Sequence, residues 1–343
     1  MKIFRPTYVK DFKCDGKACG SRCCRDWRVV LDEETREKFL RLPAADRQNI
    51  FNHVDESARA FKMKNSGACP FLDENFLCKL QLKHGEDFLT AVCQSFPRVT
   101  YKLGEGIFSQ AMTLTCPVAA ILILLREEPI DFEFVDELKA RQVFDFTKRV
   151  SAAEKFLERQ RAAIKILQKR DLSLNRRLED LCVFFGEKIS VPVDFDAENH
   201  AAALAEIFGE TYEANLTVDK KNRLAETYLA NRKNILSQLR ENFSVVLENY
   251  LVNEFFMRSY PVAFTGDEAF NCRVFVTTYR ALEFAAVLTT ISKRRMTLED
   301  FLELLCALND KLDHSRGGME AIRIFAELHD AEVFHSMMIE RGD

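Results

Sequence analysis

Eight of the chain's eleven cysteines fall between Cys14 and Cys116: Cys14, Cys19, Cys23, Cys24, Cys69, Cys78, Cys93 and Cys116. The residues after Cys116 hold only Cys182, Cys272 and Cys306. A chain of 343 residues, 47% of them hydrophobic, can bury a core without covalent staples. The clustered thiols are therefore not needed as scaffold. The start, Met1 to Thr7, has no apolar signal region, and the longest apolar run, Val118 to Leu125, is too short to span a bilayer. A cytoplasmic protein with reduced thiols is expected, and the odd cysteine count leaves no clean disulfide framework. Thiolates at this density point to a soft metal or an iron–sulfur cluster.

The spacing is C-x4-C-x3-C-C, then C-x8-C, C-x14-C and C-x22-C. Adjacent Cys23 and Cys24 cannot both point comfortably at one centre, so one is a ligand and the other buried, or the two serve different sites. Cys69 to Cys78 reads as a short β-hairpin with Asp73-Glu74-Asn75 as its turn, in either of two registers. Cys93 ends a short helix before Phe96-Pro97. Cys116 precedes Pro117 at a helix start, where the dipole favours a thiolate. All eight are candidate metal ligands. The pattern is not a two-knuckle C-x2-C arrangement and leaves zinc and iron–sulfur both open. Cys182, Cys272 and Cys306 sit in apolar helical stretches and read as core.

Two regions follow. Residues 1–117, broken by Gly and Pro, form an irregular cysteine-cluster metal-binding module with a short β-hairpin. Residues 118–343 carry helical periodicity and form an all-α body on which the module packs. Helices are predicted over 174–186, 199–208, 219–238, 241–257, 271–292, 297–312 and 319–337. Thr297-Leu-Glu-Asp300 has the form of a capping box. The fold class is mainly α.

The net charge of −4 predicts neither a nucleic-acid nor a membrane partner. The first thirty residues nevertheless carry eight Lys or Arg against three Asp. This basic stretch either offsets a thiolate site or is a solvated face. Arg98 could clamp a carboxylate or neutralise a cluster's charge. Asn249, Tyr250 and Asn253 lie on one predicted helix, with the two amides four apart. They could bind a polar cofactor, although buried amides more often hold a neighbouring loop. His314, His329 and His335 read as surface or capping residues. No strand, Gly-rich turn and helix in succession supports a nucleotide-type site; Gly104-Glu105-Gly106 reads as a hairpin turn.

Cys19-Gly-Ser-Arg-Cys-Cys24, Trp27, Cys69-Pro-Phe-Leu72, Leu77-Cys78, Cys93-x-x-Phe-Pro-Arg98 and Cys116-Pro117 resemble the cysteine-cluster family of zinc- or iron-chelating proteins. The order of motifs is more similar to the flagellin lysine-N-methylase family. Pro6-x-Tyr8, Phe12-x-Cys14, Cys23-Cys24-x-x-Trp27, Glu248-Asn-Tyr-Leu-Val-Asn253 with Phe256 and Pro261, and Asp313-His314-Ser315 carry that likeness. The resemblance implies methyl transfer to lysine side chains of flagellin, with S-adenosylmethionine as donor and a [4Fe–4S] cluster. With no Gly-rich donor loop in the chain and the distal likeness confined to 248–261, Arg98, Asn249, Tyr250 and Asn253 are the expected donor contacts. The alternative is a non-catalytic zinc- or iron-binding cysteine-cluster protein.

Overall fold

The structure, a computed structural model of the chain, describes residues 1–25, 27–137, 141–187, 197–211, 216–314 and 318–328. The chain divides into two compact units, Met1–Ala119 with Phe132–Phe146, and Ala120–Asp131 with Thr147–Asp343. The first unit therefore takes back a segment from beyond the 117/118 boundary read from the sequence.

The first unit is built on a small sheet of order β6-β1-β5-β4-β7. Its strands are β1 (Lys2–Pro6), β4 (Arg98–Gly104), β5 (Ile107–Met112), β6 (Phe132–Val135) and β7 (Phe144–Asp145). Gly104-Glu105-Gly106 closes the β4–β5 hairpin as the sequence predicts, with Gly106 at the left-handed φ of 68° that such a turn requires. β1 runs parallel to β5, and β6 pairs with it antiparallel on the other side. Ile3 and Phe4 are consecutive and both buried, so this strand is covered on both faces and shows no alternation.

A second cluster in this unit is assembled from α1 (Glu33–Leu40), α2 (Ala44–Asn52), β2 (Val54–Asp55), β3 (Ala60–Phe61), α3 (Lys79–His84) and α4 (Ala91–Ser95). Asp32 ties it together. Its carboxylate caps α1 through the Thr35 N–H (3.1 Å), accepts from the Ala91 N–H at the start of α4 (2.7 Å) and pairs with Arg141 (2.8 Å). Burial alone would raise its pKa, but these donors hold it below the usual carboxylate range.

The predicted Cys69–Cys78 hairpin does not form a ladder. Only Leu72 and Cys78 bridge, and Cys69 and Cys78 are not opposed. Asp73 Oδ1 takes the N–H groups of Asn75 (2.9 Å) and Leu77 (2.8 Å), and Phe76 is left-handed at φ 62°. A local Asx turn therefore satisfies the backbone groups that a ladder would have used.

α5 (Pro117–Leu124) carries the chain from the first unit into the second. The second unit is helical: α6 (Ala153–Leu167), α7 (Leu174–Phe184), α8 (Ala197–Thr211), α9 (Val218–Asn242), α10 (Ser244–Met257), α11 (Glu268–Lys293), α12 (Leu298–His314) and α13 (Gly318–Leu328). Each predicted helix is present. The last one is described only to Leu328, so its stretch to 337, with His329 and His335, lies outside the described residues, as does the side chain of His314. The capping box forms, with Asp300 N–H on Thr297 Oγ1 and Thr297 N–H on Asp300 Oδ2, both 3.1 Å. α11 packs against α7, α8, α9, α12 and α13. It is long and apolar enough to cross a membrane by length and composition, but 78% of that window is buried within the protein, as in a core helix. α10 is buried on every face from Val246 to Met257. Its apolar side chains each contribute about 1.5–3 kcal/mol on burial, and its polar ones must find partners inside.

Candidate functional site

Four cysteines border one apolar cluster of the first unit. Cys69 lies in the apolar cluster of Phe61, Phe71, Leu72 and Leu80, and Cys24, Cys78 and Cys93 pack against it together with Trp27, Phe88 and Val92. Three local structures deliver them. The Cys69 N–H donates to the Cys24 carbonyl at 2.8 Å, joining the two cysteine-bearing segments. The Asx turn brings Cys78 beside Leu72 at the start of α3. Thr90 caps α4 and so fixes Cys93 within its first turn. Burial pushes the Cys69 and Cys93 thiols up to about 12, and Cys78 upward as well. A bound cation reverses that balance and deprotonates its thiols.

Cys23 and Cys24 differ in acidity. The Cys23 thiol donates to Cys24, and that contact with burial raises Cys23, while the same hydrogen bond and then Arg25 lower Cys24. Cys24 is thus the more acidic of the two and packs against the apolar cluster, while Cys23 also lies near Cys93. Trp27 Nε1 donates to the Cys23 carbonyl, fixing the loop. Cys19 lies near both Cys14 and Cys116 and helps to raise their pKa values, and Cys14 is also near Cys24, so the cysteines form one continuous set rather than two. Cys116 stands immediately before α5, but burial outweighs the Val118 and Ala119 N–H groups and raises it to about 11. The thiolate character expected of a helix N-terminus is therefore absent from the metal-free side chain. Arg98 lies over the Phe12 ring at 5.3 Å, with Glu86, Arg5 and Cys14 around it.

Cys24, Cys69, Cys78 and Cys93 border one apolar cluster and are near enough for their charges to act on one another. Among the described residues, no three Cys, His, Asp or Glu side chains converge as the ligands of a single ion. A cavity of about 140 Å³ opens beside this cluster, lined by His53, Phe71, Lys79, Lys83, His84 and Asp46.

In the second unit, Asn249 donates from Nδ2 to the carbonyls of Leu124 (3.2 Å) and Arg126 (2.8 Å), which holds the end of α5. Its Oδ1 has no hydrogen-bond partner among the described residues. Asn253 is buried beside Glu254. Tyr250 lines an internal cavity of about 10 Å³ with Glu254, Arg258, Tyr260, Phe275 and Tyr279. The sequence reading missed the other five. Glu254 and Arg258 at i,i+4 were the available signal. Burial raises Glu254 above the carboxylate range, with Arg258 opposing it.

Residues 188–338 match the profile of the FliB lysine N-methylase C-terminal domain. The flagellar biosynthetic protein FliU of Salmonella muenchen is 33% identical over 135 residues, 36% of this chain and 78% of that protein. The chain belongs to the FliB lysine N-methylase family. The lysine-N-methylases of Salmonella choleraesuis and Salmonella typhimurium are each 30% identical over 165 residues, 46% of this chain. The chain covers only 40% of the length of each of these two relatives. No solved structure matches. The FliB profile spans α8 to α13 and so includes Tyr250, Glu254, Tyr260 and Tyr279, while the eight clustered cysteines lie outside it.

Proposed function

We propose that this chain is a protein-lysine N-methyltransferase of the cytoplasm acting on a flagellin-type substrate, with S-adenosylmethionine as donor and a [4Fe–4S] cluster. Membership of the FliB family carries the reading. Cys24, Cys69, Cys78 and Cys93 would hold the cluster. Such a cluster, held by four thiolates, would supply one-electron chemistry. The protein's own part is then to exclude water with Trp27, Phe71, Phe88 and Val92 and to offset thiolate charge with Arg25 beside Cys24. Arg98 is the proposed grip on the donor's carboxylate, bidentate through its guanidinium. Asn249 and Asn253, buried in the second unit, remain expected contacts of a polar ligand within that unit. Tyr250 lines the tyrosine cavity instead.

The test is direct. Protein prepared without oxygen is analysed for iron and sulfide, then incubated with flagellin and donor carrying a labelled methyl group. Mass spectrometry is expected to find the label on lysine side chains. A brown, iron-loaded protein that transfers no methyl to any flagellin lysine overturns the reading. A colourless protein with stoichiometric zinc and no transfer replaces it with the metal-binding alternative.

A further inference from the structure

The cavity of about 140 Å³ in the first unit lies between α2 and α3. Asp46, Asn49, Ile50 and His53 reach it from one face of α2 and its end, at helical spacing, and Lys79, Leu80, Lys83 and His84 from α3. Its floor is apolar, made by the buried side chains of Ile50, Phe71 and Leu80. Its rim is polar, and one side of that rim is satisfied internally. Asp46 pairs with Lys83 through Oδ1 and faces His84 Nε2 at 3.8 Å through Oδ2. The other side is not. Among the described residues Lys79 forms no ion pair, and the side chains of Asn49 and His53 form no hydrogen bond. The His53 ring meets Phe71 edge-on at 5.6 Å, which leaves its nitrogens to the pocket. Ammonium, amide and imidazole all carry donors. Two lysines against one aspartate leave the rim positive even with both imidazoles neutral.

We propose that this pocket binds an organic carboxylate on a short carbon stem, with the head on Lys79, His53 and Asn49 and the stem on Phe71 and Leu80. Charge, shape and size argue for it. Unpaired donors and a positive rim select an anion. The apolar floor selects one that carries carbon, because an inorganic anion would cover Phe71 and Leu80 with polar oxygens, whereas a stem buries them. A volume of about 140 Å³ is the share of roughly four or five water molecules in the liquid, the scale of a glutamate side chain. It falls well short of the roughly 300–1,000 Å³ of a site for a cofactor-sized ligand. An acidic side chain of a partner protein and a free short-chain acid present the same chemistry, and the experiment separates them. The site does not depend on the methyltransferase reading.

Full-length protein carrying carbon-13-labelled histidine is titrated with propionate, which has the heavy atoms of the glutamate side chain, and the imidazole signals are followed by NMR. The chain has six histidines, and His53→Gln and His84→Gln assign the two that matter. Saturable shifts of both signals with propionate are expected, with weaker binding of inorganic phosphate and none of n-propylammonium. Lys79 is exposed, so Lys79→Ala should weaken propionate by up to about five-fold, the worth of an exposed ion pair. Lys79→Glu should abolish binding, and circular dichroism checks that both variants fold. No saturable shift, or phosphate binding as tightly as propionate, means an adventitious ion only and overturns the proposal. So does undiminished propionate affinity in a folded Lys79→Glu. The last arm titrates N-acetylglutamate with its α-carboxyl amidated, against its glutamine counterpart. Binding of the first alone, as tightly as propionate, assigns the pocket to acidic side chains of a partner protein. Propionate binding without it assigns the pocket to free acids.

Discussion

Glu283→Gln tests whether the second unit depends on charges buried within it. Glu283 lies inside α11 and receives Arg240 at 2.9 and 3.2 Å and Arg280 at 2.5 Å. Arg280 is in turn held by Asn175 at 3.0 Å. Burial alone would raise the carboxyl, but the two guanidiniums outweigh it and hold its pKa down to about 2, against an ordinary 4.5. That gap is worth about 3 kcal/mol at neutral pH, taking about 1.4 kcal/mol per pKa unit. Removing one member of a buried ion cluster costs about 3–5 kcal/mol on general grounds, which agrees. Because the folded pKa is depressed, the contribution is complete above the ordinary carboxylate value and is lost as pH falls from there towards 2. Glutamine keeps the shape and removes the charge. Urea unfolding followed by far-UV circular dichroism reads the helices, while Trp27, the chain's only tryptophan, reports the first unit. The variant's helical transition should shift to lower urea at neutral pH with unchanged slope, leaving the Trp27 transition in place. The gap between wild type and variant should close between about pH 5 and pH 2. Equal midpoints at neutral pH, or a gap that stays constant down to about pH 3, would show that the cluster does not stabilise the ionised carboxylate as argued.

Three further outcomes follow from the same geometry. Serine at Cys24, Cys69, Cys78 or Cys93 should each lower bound iron in oxygen-free preparations, whereas Cys182→Ala, Cys272→Ala and Cys306→Ala, buried in the helical unit, should leave it unchanged; metal analysis decides. Asn249→Ala should cost about 1–3 kcal/mol in urea unfolding, because the carbonyls of Leu124 and Arg126 lose a buried donor. Arg98→Ala should weaken S-adenosylmethionine binding roughly ten- to a hundred-fold by calorimetry, and unchanged affinity with metal retained would place the donor elsewhere.

The sequence by itself determined where the thiols are concentrated, the Gly104–Gly106 turn, the capping box at Thr297 and the run of helices from α6 onward. These are local matters. Periodicity and caps act within a few residues, and helices whose polar face meets water reveal themselves in the pattern. The tertiary structure decided which cysteines border one apolar cluster. Cys24 joins Cys69 through a backbone hydrogen bond, and Cys78 arrives by a turn in which Asp73 outcompetes the predicted hairpin. It also decided that Lys2–Pro6 is an interior strand, because Ile3 and Phe4 are buried together and leave no alternation to read. The tyrosine cavity was invisible for the same reason on a larger scale. α10 is buried all round, so its polar residues stand out on no face, and Tyr250, Tyr260 and Tyr279 converge only when α10 and α11 pack. Proximity between residues distant in sequence is a property of the packed core, and a linear pattern carries no record of it.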